Sequence, residues 1–198
     1  MLTETSANAR ALGWASAVAG AWGLWYAIYR AYYAAGGTGF LAGTIRHSSE
    51  AEFQQVNLTG AVIICVAAIL PVATLPLWSQ KRPRRVLLAL CWLVAVGCCM
   101  HALVDGIERV LSLTGVLRLD YWSGWATVNH RSADLEDLLF NEPWFLLEGL
   151  AFATLGWIAL GPGRARRWWA TSGLAAIGAL TVLGMLTVAG VSGKVIVL

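Results

Sequence analysis

His101, Asp105 and Glu108 lie at spacings i, i+4 and i+7 in the stretch "CCMHALVDGIERV" (Cys98–Val110), so a helix through it carries all three on one face. A histidine one turn from a carboxylate is a pair suited to taking up and releasing protons. Arg109 stands beside that face, within reach of Asp105. Further along, Glu148 sits in "PWFLLEGLAFATLGW" with no charged residue within one turn, where a carboxyl group is a credible proton donor. Trp144 and Phe152 flank it at helical spacing. Upstream, Trp22, Tyr26, Arg30 and Tyr33 follow i, i+4, i+8, i+11, an aromatic stripe with one guanidinium. Aromatic faces of this kind stabilise cations through their quadrupoles. Glu148, His101 and Asp105 are therefore the expected catalytic groups. Trp22, Tyr26, Arg30, Tyr33, Glu108, Trp144 and Phe152 are the expected substrate-binding ones.

The elements that must position these groups are membrane helices. Of 198 residues, 58% are hydrophobic and 13% charged, and the mean hydropathy is +0.65, values of an integral membrane protein. Crossing the hydrocarbon takes roughly 20 apolar residues. Five stretches qualify, at about 11–34, 58–78, 86–107, 143–161 and 168–190. The first is too long and too aromatic for a cleaved signal and reads as a retained span. "KRPRR" (Lys81–Arg85) and "GPGRARR" (Gly161–Arg167) are separated by two spans, so the positive-inside rule places both in the cytoplasm. The expected fold is an all-α, five-span bundle forming one domain over 1–198, with its amino terminus inside and its carboxyl terminus outside, in a bacterial plasma membrane. The outer loop 114–142 is long and acidic. It carries Asp134, the interfacial aromatics of "YWSGW", and a short interfacial helix with Ser132 as its expected N-cap. The segment "GGTGFLAGT" (Gly36–Thr44) reads as a flexible outer counterpart.

Depth then brings the polar groups together. With the third span entering near Val86, His101 lies roughly 6 Å below the outer boundary; with the fourth descending from Pro143, Glu148 lies about 7 Å below it. An ionisable group in a span costs about 2.5–3.5 kcal/mol, so groups at one level should face each other, with Arg30 placed to meet Asp105, Glu108 or Glu148.

On these residues a resemblance can be stated. "HALVD" followed one helix later by "LLEG" resembles the His-x-x-x-acid helix and later intramembrane glutamate of the emopamil-binding sterol isomerase family. The chemistry resembles that of integral-membrane terpene cyclases too. The resemblance implies a five-span bundle that protonates a lipophilic double bond, with His101 and Asp105 as the histidine–acid pair and Glu148 as the second carboxylate. In this chain the pair falls on the third span rather than the second, and its acid is aspartate rather than glutamate. The whole chain, through "YYAAGGTGF" and "NEPWFLLEG", also resembles small integral membrane proteins of actinobacteria, a likeness that carries no activity.

The expected function is acid–base isomerisation or cyclisation of an isoprenoid-like substrate in a pocket open to the outer leaflet. The alternatives are a non-catalytic lipid or small-molecule binder, a carrier, or a structural subunit of a membrane complex. Lipophilic molecules and membrane lipid are the expected partners. The net charge of +3 comes from clustered arginines and argues against nucleic acid. The four cysteines lie in apolar runs and read as small buried hydrophobes. No cofactor and no metal is expected: His47 and His130 fall in loops, and the one zinc arrangement that geometry allows is His101–Asp105–Glu148. The fifth span carries Gly173, Gly178, Gly184 and Gly190, a face through which a second copy could pack.

Overall fold

The computed structural model describes residues 2–190, and it is all-α apart from one short ribbon. Helix α1 spans Leu2–Ala34, α2 Glu50–Ala73, α3 Lys81–Leu113, α4 His130–Glu136, α5 Glu142–Ala159 and α6 Arg164–Val188. Strands β1 (Gly43–Ile45) and β2 (Trp125–Val128) pair antiparallel. The long helices stand where the five spans were expected, but α2, α3 and α6 are the ones long and apolar enough to cross a membrane. Helices α1 and α5 fall short of five-span expectation for a physical reason. Tryptophans, tyrosines and glycines dilute the apolar character of α1, and α5, only 18 residues long, includes Glu142 and Glu148. The expected exits of the two termini fall on residue 1 and residues 191–198, outside the described residues.

Local chemistry sets the helix ends. At the end of α1, the Gly37 N–H bonds the Tyr32 carbonyl and the Gly36 N–H bonds the Tyr33 carbonyl, with Gly36 at φ 87°. At the end of α3, Val116 reaches back to Leu111 and Gly115 to Ser112, with Gly115 at φ 76°. Both are Schellman turns, in which a left-handed glycine satisfies the last carbonyls. Pro83 in the first turn of α3 costs nothing, because the N–H it lacks would have no partner there.

Two departures from the sequence reading matter for the site. Gly36–Thr44 is not a free loop: Gly43 pairs with Val128, Thr44 with Thr127 and Ile45 with Trp125. A Cβ at Gly43 would overlap the Thr127 carbonyl oxygen, so the ribbon closes only because that residue is glycine. The second departure concerns the acidic loop. Its helix is capped by the Asn129 side chain, which accepts from the Ser132 N–H, so Ser132 is not the cap. That helix does not stop before Pro143. It continues through a π-helical turn, Asp137–Asn141, directly into α5. The Glu142 N–H bonds the Asp137 carbonyl, five residues back, immediately before Pro143, which has no N–H to give.

The apolar core, built on Ala19, Trp78, Leu87, Cys91, Ala95, Phe152 and Leu155, lies toward the end carrying the basic segments. Phe152 is therefore packing rather than part of a polar pocket. At this basic end the Arg84 guanidinium bonds the Ala159 carbonyl, which ties "KRPRR" to the last turn of α5, two residues before "GPGRARR". The opposite, cap end carries the ribbon and α4. Helix α1 packs on α2 through Gly20 and Gly23, where a Cβ would press on Ala68 at 2.8 Å, and α5 packs on α3 through Gly149 against Cys99. Helix α6 lies on α3, with Gly184 against Val104 and Trp92 donating to Ser172 at 3.2 Å. Part of the α6 glycine face is thus already used within the chain, while Gly178 and Gly190 remain open.

Candidate functional site

The α3–α5 contact fixes the level of each polar group. Gly149 meets Cys99, the His101 ring stands edge-on to Phe145 with centroids 4.3 Å apart, and the Asp105 carboxylate lies beside Glu142. The helices run antiparallel in this register, so Glu148 sits about one turn deeper than His101. His101 Nε2 and Asp105 Oδ2 are 3.3 Å apart, the pairing their spacing implied.

Glu148 is 3% exposed and faces the bundle interior, with Oε1 3.2 Å from where a Gly23 Cβ would stand. Its Oε2 has no hydrogen-bond partner. No described hydrogen bond joins it to His101. Glu108 lies one turn beyond Asp105 on the same helix and is half-buried.

The arginines pair differently from expectation. Arg30 donates to Asn57 Oδ1 at 3.0 Å and lies over the Tyr26 ring at 5.2 Å, rather than meeting Asp105, Glu108 or Glu148. Asn57 projects from α2, and its own amide donates to the Phe53 carbonyl, which fixes the acceptor toward Arg30. Arg109 turns away from Asp105 to bridge Asp134 at 3.3 Å and Asp137 at 2.9 Å. Asp134, expected on the solvated outer face, is 2% exposed and also accepts from Ser112 and Tyr121, each at 2.6 Å. Burial is the first cause, and the bond to Asp134 the second, that hold the Tyr121 hydroxyl above its ordinary pKa.

The aromatic stripe assembles against α5. Tyr26 stacks on Trp144 with centroids 4.0 Å apart and donates to Asn141 Oδ1 at 2.9 Å. Trp22 stacks on Trp144 at 6.5 Å, and each indole N–H of this pair bonds the other residue's carbonyl. The π-helical turn is what presents Asn141 to Tyr26 and Asp137 to Arg109 while leaving Trp144 on the α1 face.

Three cavities open at the cap end: one of about 450 Å³ lies between the 36–45 segment and the first turns of α2, and two others adjoin each other. One, of about 600 Å³, is lined by Trp25, Ile28, Tyr29, Tyr32, Phe40, Phe140 and Glu136. It is apolar and open to the bundle's surroundings, since Trp25, Ile28 and Phe40 are largely exposed. The other, of about 290 Å³, lies under the cap, where Arg30, Arg109, Asn57, Asn141, Tyr121, Asp120 and Asp137 supply its polar lining and Tyr33 and Phe53 part of its aromatic lining. Tyr29 and Glu136 line both. The Tyr29 hydroxyl donates to Glu136 Oε1 at 3.0 Å and forms the partition. Burial raises the Glu136 pKa, and the Tyr29 hydrogen bond works against that shift. Arg30 and Tyr33 thus line a cavity as expected, whereas His101, Asp105 and Glu148 line neither of these two.

Sequence reasoning missed Tyr29, Asn57, Glu136, Asn141 and Glu142. Glu142 had a legible signal: with Phe145 and Gly149 it continues one helical face across Pro143. Comparison with known proteins finds no matching family model, no matching curated sequence and no matching solved structure.

Proposed function

We propose that this chain is a membrane protein that takes up a lipophilic molecule bearing a polar head, at the cap end of a five-span bundle whose basic end faces the bacterial cytoplasm. The observation that carries the reading is the pair of adjoining cavities with a shared Tyr29–Glu136 wall. An apolar groove open beside exposed aromatics suits a hydrocarbon tail. A compartment holding two guanidiniums, two carboxamides, three carboxylates and several hydroxyls suits a polar head, and Arg30, bonded to the neutral Asn57, offers that head a positive partner. Mass spectrometry of lipids retained through purification in mild detergent tests this. One amphiphile at near one-to-one stoichiometry is the expected result, and a lipid profile identical to the bulk membrane opposes it.

A second reading, acid–base catalysis on the bound molecule, is favoured by one specific feature. Glu148 is a buried carboxyl with an unpartnered oxygen, about one turn from a histidine–aspartate pair and close to the Trp22–Trp144 stack. Such a group is costly in a span unless it has a task. The resemblance of "HALVD" and "LLEG" to the sterol isomerase family supports the same reading, with Glu148, His101 and Asp105 moving protons and aromatic faces stabilising a cationic intermediate. Reaction of an isoprenoid-like substrate requires that it reach past Tyr26 and Trp144, which together separate the cap cavities from Glu148.

A further inference from the structure

The cluster of His101, Asp105 and Glu142 has a property that its acid–base reading does not use. One ligand-type atom from each residue lies within 4.8 Å of the other two. We propose that these three residues form a binding site for one divalent first-row cation, with Zn²⁺ the best match to a nitrogen and two carboxylate oxygens.

Three observations support the site. First, the Nε2–Oδ2 separation of 3.3 Å between His101 and Asp105 equals the ~3.3 Å between two ligands set at a tetrahedral angle about an ion ~2.0–2.1 Å from each. The Glu142 oxygen, within 4.8 Å of the other two, must then close by up to ~1.5 Å, which a change in its side-chain torsions supplies.

Second, Glu142 is 6% exposed and its Oε2 has no hydrogen-bond partner, so the group aimed at the cluster is both buried and unsatisfied. An orphaned buried carboxylate oxygen is expensive, and a cation satisfies it.

Third, the cluster gathers acidic groups with no arginine or lysine of its own. Asp105 and Glu142 approach each other, Glu108 stands a turn away, and the nearby Arg109 is engaged by Asp134 and Asp137. A divalent ion supplies the missing positive charge. The backbone contributes too: the π-helical turn immediately before Glu142 resets the rotation of α5, and such turns occur often at functional sites. His101 keeps a quarter of its side-chain surface accessible, which leaves the ion a way in and room for a water or substrate oxygen as a further ligand. The site differs from the His101–Asp105–Glu148 arrangement allowed by sequence, because Glu148 lies a turn deeper.

The test is isothermal titration of Zn²⁺ into full-length protein in detergent, after removal of metal with a chelator. Saturable one-to-one binding is expected for the wild type and for His47→Ala and His130→Ala, which remove the only other histidines. Glu142→Gln and His101→Ala should each weaken binding at least ~10-fold. Size-exclusion profiles and circular dichroism establish that each variant folds. If one variant does not fold, the other decides. Absence of saturable binding by the wild type overturns the proposal, as does binding of unchanged strength in folded Glu142→Gln or His101→Ala.

Discussion

The Tyr29 hydroxyl donates to Glu136 Oε1 at 3.0 Å, and this contact separates an apolar groove from a polar cavity in the same end of the bundle. The donor comes from α1 and the acceptor from α4 in the cap. The partition therefore depends on the cap being seated, and the cap is seated by the ribbon and by Asp134. A molecule with a tail and a head can occupy both compartments only where the partition lets it pass.

The seating of the cap gives the first prediction. Asp134 is the shared acceptor of Arg109, Ser112 and Tyr121. Replacing it with leucine leaves those donors unsatisfied beneath the cap. Breaking a buried ion pair costs about 3–5 kcal/mol, and Asp137 still holds Arg109, so a loss of roughly 3 kcal/mol is expected in denaturant unfolding. A loss below ~1 kcal/mol would contradict the role given to Asp134.

The ribbon gives the second. Gly43→Val inserts a branched side chain where even a Cβ overlaps the Thr127 carbonyl. Overpacking costs typically ~1–3 kcal/mol, and here the strands can separate instead. Limited proteolysis should then cut within 36–46 or 115–129 faster than in the wild type, with the long helices intact by circular dichroism. An unchanged cleavage pattern would show that the ribbon does not hold the cap.

Glu136 gives a prediction about pH. Its folded-state pKa is raised above the ordinary 4.5 by burial. The folded chain therefore keeps a proton that the unfolded chain releases, and stability falls as pH rises through a window beginning near 4.5. Glu136→Gln retains an acceptor for Tyr29 and removes the titration. Its melting temperature should exceed that of the wild type at pH 7 and match it more closely at pH 4. The opposite ordering would contradict burial as the cause.

Glu148 separates catalyst from scaffold. Since Arg30 is held by Asn57, Glu148→Gln leaves no uncompensated guanidinium, and the melting temperature should hold or rise. If Glu148 moves a proton, turnover of any isoprenoid-like substrate should fall by about 10²–10⁴-fold in the same variant. Full activity in Glu148→Gln removes this residue from the chemistry.

The parts legible in the sequence were those set by periodicity. The i, i+4 pairing of His101 with Asp105 and the shared face of Trp22, Tyr26 and Arg30 follow from a single helix's geometry, whereas the stacking of that face on Trp144 does not. Partner choice across helices was not legible. Arg30 and Arg109 each had several acids at the right depth, and the outcome turned on side-chain rotation about neighbouring axes. It also turned on Asn57, a neutral residue with no charge to draw attention. Pro143 misled in a specific way. Proline commonly opens a helix, yet here a π-helical turn absorbs it, and that turn carries Glu142 from the acidic loop into the buried cluster. The pairing of Gly43–Ile45 with Trp125–Val128 joins segments far apart in sequence, and neither has the alternation that would mark it as a strand.

The central claim is that one molecule spans the apolar groove and the polar cavity. Its most direct test is quantitative lipid mass spectrometry of protein purified in parallel as wild type, Arg30→Gln and Phe40→Asp. Arg30 touches only the polar cavity and Phe40 only the groove. The account predicts a single amphiphile, near one per chain in the wild type, reduced at least ~10-fold in both variants while each still folds. Retention of that amphiphile in both folded variants, or no enriched species in the wild type, would contradict it.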